Sequence, residues 1–341
     1  MAEAAPPVVS VEDLHVRFVT PEATVHAVTG VSFALEAGRV LGILGESGSG
    51  KSVTLRALIG LLPPHRSRVE GRVKVAGHEI TCLGEAELRE VRGTKIAMIF
   101  QEPMVALDPV FTIGEQIAET IVRHEGVSWA DAYCRALELL EMVQIPSAAR
   151  RLKSYPHEMS GGMRQRAMIA LALSCRPTVL LADEPTTALD VTVQIQIIVL
   201  LRQLQQELGM AVVFVTHDVG VAVEVADRLA VMYAGRFVET GPTATVIERP
   251  AHPYTAGLLA STVLGSVQGQ RLEAIPGTPP DLSALPPGCA FAPRCRFAEQ
   301  PCRATVPPEF ALTTTHRTRG LRAAAGEIEL VGPSLRERAI L

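Results

Sequence analysis

Aromatic residues and surplus positive charge are both scarce in this sequence. Aromatic side chains make up 4% of the 341 residues, which suits an aliphatic α/β interior better than an aromatic binding platform. The formal net charge is -4 at pH 7, whereas a protein that holds nucleic acid through a broad surface needs clustered Lys and Arg to neutralise phosphates. We therefore expect no nucleic-acid partner.

Long apolar runs and a disulfide-type cysteine pattern are also missing from the sequence. No segment approaches the roughly 20 apolar residues that a membrane-spanning helix needs, so any membrane role must come through partner chains. Residues 1–10 lack a basic start followed by an apolar stretch, and we expect no secretory signal there. Six cysteines in a chain of this length fit a reducing compartment and do not describe a disulfide scaffold.

Strand and helix patterns alternate along most of the chain, which predicts an α/β fold with a mostly parallel sheet. The predicted strands are 8–18, 31–35, 39–44, 71–75, 95–100, 178–181, 212–216 and 229–233. The predicted helices between them include 85–92, 191–207 and 220–225. Past residue 250 the composition shifts to Pro, Gly and Cys, and we place a boundary there.

A phosphate-binding loop pattern lies between a predicted strand and a predicted helix, where its mechanism requires it. This phosphate loop consists of Gly45, Glu46, Ser47, Gly48, Ser49, Gly50, Lys51 and Ser52. Its glycines let backbone N–H groups approach phosphate oxygens, and the following helix start adds positive potential. Lys51 is expected to reach the β and γ phosphates of a nucleotide, and the Ser52 hydroxyl to hold Mg²⁺.

Two acids follow the buried strand at 178–181, and ligands of open α/β sheets bind at such strand ends. Asp183 is placed to bind the Mg²⁺ shell, and Glu184 to accept a proton from water that attacks the γ phosphate. His217 follows a neighbouring strand, from which it could sense the γ phosphate and position Glu184 or the water. Taken alone, the two acids would also fit a solvated strand end, and a lone histidine would better fit a structural role.

Further motifs resemble those of the ATP-binding cassette ATPases. Met159-Ser160-Gly161-Gly162-Met163-Arg164-Gln165-Arg166 resembles the signature motif of that family, and its amides would face a γ phosphate from the start of a helix. Gln101 resembles the Q-loop glutamine, which the family also uses at Mg²⁺; Ala188-Leu189-Asp190 resembles the D-loop; His217 resembles the switch histidine. Phe18 is similar in placement to the aromatic residue that stacks on adenine in this family. The alternative is that Phe18 is an ordinary core residue of its strand.

The resemblance implies a P-loop NTPase fold. Its expected parts are a mostly parallel core sheet, an antiparallel β edge and a helical subdomain at about residues 105–175 that carries the signature, within a cassette at 8–250. In this family the signature of one cassette faces the nucleotide on the phosphate loop of another. The chain has one of each, so the resemblance implies that ATP closes two cassettes over a complete site.

The tail resembles a narrower group, the oligopeptide and dipeptide importer ATPases. The resemblance lies in His252-Pro253-Tyr254-Thr255, in the 275–282 segment and in Gly288-Cys289-Ala290-Phe291-Ala292-Pro293-Arg294-Cys295. We name residues 251–325 the C-terminal extension, and residues 326–341 form a tail. The same extension occurs in nickel, glutathione and oligosaccharide systems, so these solutes remain alternatives to peptides.

Three cysteines of the extension, Cys289, Cys295 and Cys302, are spaced similarly to those that bind a 4Fe-4S cluster in some of these importers. Four thiolates are expected, and the segment after His316 holds no cysteine where such members carry the fourth. We favour a metal-free loop. A cluster completed by His316 or by an outside ligand is the alternative, and a redox or metal-sensing module is the corresponding rival function.

The resemblance also implies partner chains and a location. The expected partners are a similar but non-identical second cassette, two transmembrane permeases and an extracytoplasmic solute-binding protein. The chain would lie peripherally on the cytoplasmic face of the cell membrane, with the 101–116 segment coupling cassette closure to the permeases. A non-transport cassette ATPase is the more distant alternative, but its usual coiled-coil insertions or second cassette do not occur here.

Overall fold

The computed structural model describes residues 6–187, 189–262 and 274–333. Strands and helices alternate, as the sequence predicts. The strands are β1 (Val9–Val19), β2 (Thr24–Leu35), β3 (Val40–Leu44), β4 (Ser67–Val75), β5 (His78–Glu79), β6 (Ile96–Ile99), β7 (Val179–Asp183), β8 (Ala211–Thr216), β9 (Arg228–Tyr233), β10 (Arg236–Pro242), β11 (Phe310–Ala311) and β12 (Arg317–Thr318).

The helices range from single turns to an 18-residue helix that begins after the D-loop. They are α1 (Lys51–Leu58), α2 (Glu85–Val91), α3 (Pro103–Ala106), α4 (Ile113–Glu125), α5 (Trp129–Met142), α6 (Ala148–Arg151), α7 (Gly161–Leu173), α8 (Val191–Leu208), α9 (Val219–Val225), α10 (Thr243–Glu248), α11 (Pro253–Ala260), α12 (Gln300–Ala304) and α13 (Leu321–Ala324), with 3₁₀ turns at Ile80–Cys82 and Pro156–Glu158. Within the described ranges, none of them combines the length and hydrophobicity needed to cross a lipid bilayer.

Two sheets form the β framework. The larger sheet has the order β11-β12-β10-β9-β3-β8-β7-β6. Its strands β9, β3, β8, β7 and β6 are parallel, while β10 and the short β12 and β11 continue it with antiparallel pairing. The smaller sheet, β2-β1-β4-β5, is antiparallel throughout. The predicted class, a mostly parallel core with an antiparallel edge, is confirmed.

The central strands have continuous apolar sequences because both of their faces are buried. Every residue of β3, β7 and β8 is buried. One core packs α1 and α2 between the two sheets, through side chains such as Leu41, Leu55 and Val213. The other core covers the opposite face with α4, α5, α7 and α8, through residues such as Ile121 and Leu201. The parallel sheet is therefore packed on both faces.

The larger sheet includes residues from both sides of the predicted boundary near residue 250. Glu239 and Thr240 of β10 pair with Thr318 and Arg317 of β12. The sequence patterns predicted neither β10 nor the first half of β2. β10 escaped prediction because one of its buried residues is an acid, Glu239, so the strand lacks an apolar pattern.

Candidate active site

The phosphate loop connects the end of β3 to the start of α1. A Cβ at Gly45 would overlap the carbonyl oxygen of Met232, and a Cβ at Gly50 would overlap that of Ala27. Gly50 also has a φ of 106°, which side-chain-bearing residues rarely adopt. Ser47 and Gly48 are the exposed residues at the tip of the loop, and Gly48 has a φ of 77°. The glycine spacing therefore follows from close backbone packing as well as from phosphate access.

Lys51 lies folded beneath this loop. Its side chain is 4% exposed, and its Nζ donates hydrogen bonds to the carbonyl oxygens of Gly45 at 2.8 Å and Glu46 at 2.9 Å. Burial lowers the pKa of Lys51 from its ordinary value, against the opposing effect of Glu184. The Ser49 hydroxyl is buried and has no hydrogen-bond partner among the described residues. The buried Lys51 ammonium, the Ser49 hydroxyl and the amides of the loop are all groups that could bind a polyanion such as a triphosphate.

Ser52 and Asp183 meet between α1 and the end of β7. The Ser52 hydroxyl donates to Oδ1 of Asp183 at 2.7 Å. Asp183 is 3% exposed, and burial raises its pKa above the ordinary value although Ser52 opposes the shift. A hydroxyl and a buried carboxylate are hard oxygen donors of the type that Mg²⁺ prefers. The two residues therefore fit the predicted magnesium site.

Glu184 is the centre of a hydrogen-bond cluster at the strand ends. Its Oε2 is 3.2 Å from Nε2 of Gln101, 3.0 Å from Nδ1 of His217 and 3.1 Å from Oγ1 of Thr187. Its Oε1 faces Nζ of Lys51 at 3.7 Å. The backbone at Glu184 has a φ of 44°, and its N–H donates to the carbonyl oxygen of Val215. One oxygen is thus held by three side chains, while the other faces the phosphate loop.

This cluster forms because β3, β6, β7 and β8 are parallel neighbours. Their carboxyl ends lie at one edge of the sheet, so the residues that follow each strand come together although they are far apart in sequence. The structure brings together Lys51, Ser52, Asp183 and Glu184 with the exposed Gln101 and His217.

The signature residues lie on a different element. Ser160 is exposed and caps α7, where its hydroxyl accepts a hydrogen bond from the N–H of Met163 at 3.3 Å. Gly161 and Gly162 form the first turn of α7. Asp190 caps α8 by accepting from the N–H of Val193 at 3.0 Å. Ala188 of the predicted D-loop lies outside the described residues. Each cap leaves helix amides at an exposed N-terminus.

Phe18 lies near the end of β1, half-buried against the core between the two sheets. Its register partners are Val25 and Ser67. Both the stacking role and the core-residue interpretation remain predictions.

The iron-sulfur alternative finds no support among the described residues. His316, the suggested fourth ligand, is 5% exposed, and its Nε2 lies 2.9 Å from Oε1 of Glu239. Burial raises the pKa of the Cys289 and Cys295 thiols. In the described part of the chain, no group of three or more His, Cys, Asp or Glu side chains is arranged to hold a metal ion.

Sequence reasoning missed three contacts at the site. Thr187 supplies the third donor to Glu184. Arg294 forms an ion pair with Glu46, and the Tyr254 hydroxyl accepts a hydrogen bond from the Glu46 N–H at 2.9 Å. Tyr254 and Arg294 belong to the motifs that carried the tail resemblance. Their position relative to the phosphate loop could not be derived from sequence spacing.

Two family models match the chain. The model described as ABC transporter matches residues 28–187, and the model described as oligopeptide/dipeptide transporter, C-terminal region, matches residues 238–302. The dipeptide transport ATP-binding protein DppD of Bacillus subtilis is 47% identical over 310 residues, which cover 91% of this chain and 92% of that protein. The oligopeptide transport ATP-binding protein OppD of Salmonella typhimurium is 49% identical over 299 residues, covering 88% and 89%.

Solved structures agree with the fold. The dimeric post-hydrolysis state of the ATP-binding cassette MJ0796, bound to ADP and Pi, has a TM-score of 0.62 at 31% identity and covers 69% of this chain and 98% of that one. CbiO1 from Clostridium perfringens, part of the ABC transporter complex cbiONQ, has a TM-score of 0.60 at 27% identity and covers 71% and 91%.

Proposed function

The chain belongs to the ATP-binding cassette transporter family, and from this premise we propose that it is the ATP-hydrolysing subunit of an importer for dipeptides or oligopeptides. The observation that carries the hydrolytic role is the Glu184 carboxylate, with one oxygen held by three donors and the other facing Lys51. The peptide assignment rests on the extension, which matches the oligopeptide/dipeptide transporter region, and on relatives named for peptide transport.

The phosphate loop binds the substrate ATP. Lys51 and the loop amides, with Ser47, Gly48 and Ser49 among them, surround the β and γ phosphates. Phe18 stacks on the adenine. Ser52 and Asp183, with Gln101, would hold Mg²⁺, and the bound ion would neutralise charge on the phosphates. The burial of Lys51 and Asp183 supports these roles, because an anion and a cation would each relieve a desolvated charge.

Glu184 takes the proton from the attacking water. Three donors already occupy Oε2, so Oε1 is the oxygen that accepts this proton on the phosphate side. Gln101 and His217 hold the carboxylate in place and contact the water or the γ phosphate when ATP is bound. His217 reaches Glu184 through Nδ1, which leaves Nε2 of its exposed ring for that contact.

A second cassette completes the site. Ser160, Gly161 and Gly162 of that cassette present the amides of their helix start to the γ phosphate, and Asp190 lies at the same contact. This chain would do the same for its partner, which we propose to be a similar but non-identical cassette. Two permeases and an extracytoplasmic binding protein complete the importer, with the chain peripheral on the cytoplasmic face of the membrane.

We propose a cassette at 8–250 with its helical subdomain at about 105–175, the extension at 251–325 and a tail at 326–341. Nickel, glutathione or oligosaccharide remains the alternative solute, since the selecting pocket belongs to other chains. The cysteines of the extension have no part in the proposal.

The test uses the importer reconstituted in liposomes with the chain, its second cassette, both permeases and the binding protein. We expect ATP hydrolysis to rise when the binding protein is loaded with a dipeptide or oligopeptide, and not with nickel, glutathione or an oligosaccharide. In the matched Glu184→Gln variant, ATP binding should persist while turnover falls at least about a hundredfold and the cassettes stay closed. Normal hydrolysis in that variant would remove the catalytic assignment, and stimulation by another solute would replace the peptide assignment.

A further inference from the structure

Glu46 of the phosphate loop has each of its polar groups held by another residue. Its carbonyl oxygen accepts from Lys51 at 2.9 Å, and its N–H donates to the Tyr254 hydroxyl at 2.9 Å. Its carboxylate forms a two-point ion pair with Arg294, at 2.7 and 3.0 Å. Two of these partners come from the extension, and the third is the lysine expected to bind phosphate. The extension therefore contacts the loop at the residue on which Lys51 rests.

Arg294 is built into the protein and is not a flexible surface side chain. Its side chain is 5% exposed, its Nε donates to the carbonyl oxygen of Pro276 at 2.8 Å, and its Nη1 donates to the Tyr233 hydroxyl at 3.3 Å. The hydrogen bonds to Glu46 raise the pKa of Arg294 above its ordinary value. A buried guanidinium loses much of its stabilisation when its carboxylate moves away, so Glu46 and Arg294 must move together.

Aromatic rings make the surroundings of this ion pair stiff. Tyr233 of β9 lies 4.5 Å from Tyr254 and 5.3 Å from Phe291, measured between ring centroids, and Tyr254 lies 5.4 Å from Phe291. The Arg294 guanidinium lies 5.8 Å from the Tyr233 ring centroid and 5.9 Å from that of Phe291. Interlocked rings have few alternative rotamers, so the cluster fixes where the Tyr254 hydroxyl and Arg294 lie.

The cluster is in turn attached to the core sheet. Glu239 of β10 is buried, and it accepts hydrogen bonds from the N–H groups of Ala251 at 2.8 Å and His252 at 2.9 Å, just before α11. Tyr254 follows in the first turn of α11. Hydrogen bonds thus lead from the core strand to the start of α11 and from Tyr254 to the phosphate loop.

We propose that Arg294 and Tyr254 are positioning residues for the phosphate loop, so that the extension sets the affinity of the site for ATP by acting through Glu46. The inference rests on the proposed ATP-hydrolysing function. It implies that a displacement of the extension weakens ATP binding while the side chains that hold Oε2 of Glu184, which follow β6, β7 and β8, keep their contacts.

The test is a titration of the full-length chain with a fluorescent ATP analogue and Mg²⁺, in a Glu184→Gln background that does not consume nucleotide. We expect Kd to rise roughly tenfold for Arg294→Gln, because a charge-assisted two-point contact is lost. Arg294→Lys should recover part of the affinity, and Tyr254→Phe, which removes only the hydroxyl, should raise Kd by about threefold. With Glu184 restored, KM for ATP should rise while kcat stays within about twofold.

A double-mutant cycle separates positioning from a general loss of stability. Arg294→Gln combined with Glu46→Ala should weaken binding no more than the single change that is worse, because both remove the same contact. The matched control is Arg317→Gln, which breaks the exposed Arg317–Glu309 ion pair at 2.9 Å elsewhere in the extension and should leave Kd unchanged. Thermal unfolding of each variant checks that it is folded. If Arg294→Gln does not fold, Tyr254→Phe provides the comparison.

The inference is overturned if folded Arg294→Gln and Tyr254→Phe bind the analogue as tightly as the parent chain, if Arg317→Gln weakens binding equally, or if the double variant is additive. A parent chain that does not bind ATP at all would instead overturn the proposed function.

Discussion

At the scale of single residues, the oxygen atoms of Glu184 have unequal surroundings. Oε2 accepts hydrogen bonds from side chains that follow three different strands, whereas Oε1 faces Nζ of Lys51 at 3.7 Å. This asymmetry orients the carboxylate before any substrate arrives. Preorganised donors of this kind reduce the reorganisation needed in the transition state. Thr187 contributes to this orientation of the carboxylate as directly as His217 does.

Thr187→Val tests this contribution, because valine keeps the shape of threonine and loses the hydroxyl. We expect kcat for ATP to fall roughly tenfold, as one hydrogen bond to a charged acceptor is worth about 1.5 kcal/mol or more. KM should stay within about twofold, since the phosphate loop is untouched. Steady-state ATPase assays of the assembled importer measure both constants. Thr187→Ser keeps the hydroxyl as the matched control, and unchanged turnover in Thr187→Val would contradict the role.

At the scale of elements, the starts of α7 and α8 fix each other. Each begins with a side-chain cap, Ser160 for α7 and Asp190 for α8. Gly162 lies so close to the first turn of α8 that a Cβ there would stand 2.7 Å from Cγ1 of Val193. A Cβ at Gly161 would stand 3.7 Å from Leu189, an ordinary contact. The second glycine of the signature is therefore a packing residue as well as a predicted ligand.

Gly162→Ala and Gly161→Ala form a matched pair for this packing. We expect Gly162→Ala to lower the free energy of unfolding by about 1 to 3 kcal/mol, because the new methyl group overlaps Val193. Gly161→Ala should be close to neutral, since its methyl group meets no close neighbour and alanine favours a helix. Urea unfolding of the full chain measures both. Adding Val193→Ala to Gly162→Ala should recover the lost free energy of unfolding. Equal stability of Gly162→Ala and Gly161→Ala would contradict the packing role.

At the scale of the whole molecule, the extension shares buried polar contacts with the cassette. Glu239 joins β10 to the start of α11 and to His316, while His252 caps α11 by accepting a hydrogen bond from the N–H of Tyr254 at 3.1 Å. The acceptor is Nδ1 of His252, so protonation there would abolish the cap. Complete burial lowers the pKa of His252 to about 3.

This shift predicts a pH dependence of stability. Between about pH 6.5 and the folded-state value of about 3, the unfolded chain binds a proton that the folded chain does not, so stability falls as pH falls through that window. Through His252, lowering the pH from 7 to 5 should reduce the free energy of unfolding by about 2 kcal/mol. His252→Asn, which keeps an N-cap acceptor, should lack this component. Urea unfolding at both pH values measures the difference, and an equal loss in both proteins would contradict it.

Features that depend on local chemistry could be predicted from the sequence. Glycine spacing before Lys51, the acids after an aliphatic strand and the signature residues from Ser160 to Gly162 are short motifs, and each can be recognised from neighbouring residues in the sequence. Alternating periodicities were enough for the fold class, because burial on both faces of a parallel sheet leaves continuous apolar runs. Asp183, Glu184 and His217 could be named because each follows a predicted strand, and the family resemblance added Gln101, whereas Thr187 was missed.

Contacts between distant residues depend on how the chain packs in three dimensions. Arg294 and Glu46 are separated by 248 positions, and Tyr254 and Glu46 by 208, so no periodicity or motif spacing could pair them. The antiparallel β10 was hidden for the same reason, since its buried Glu239 is satisfied by donors from beyond residue 250. A buried charge needs partners, and whether it has them depends on how the chain packs in three dimensions.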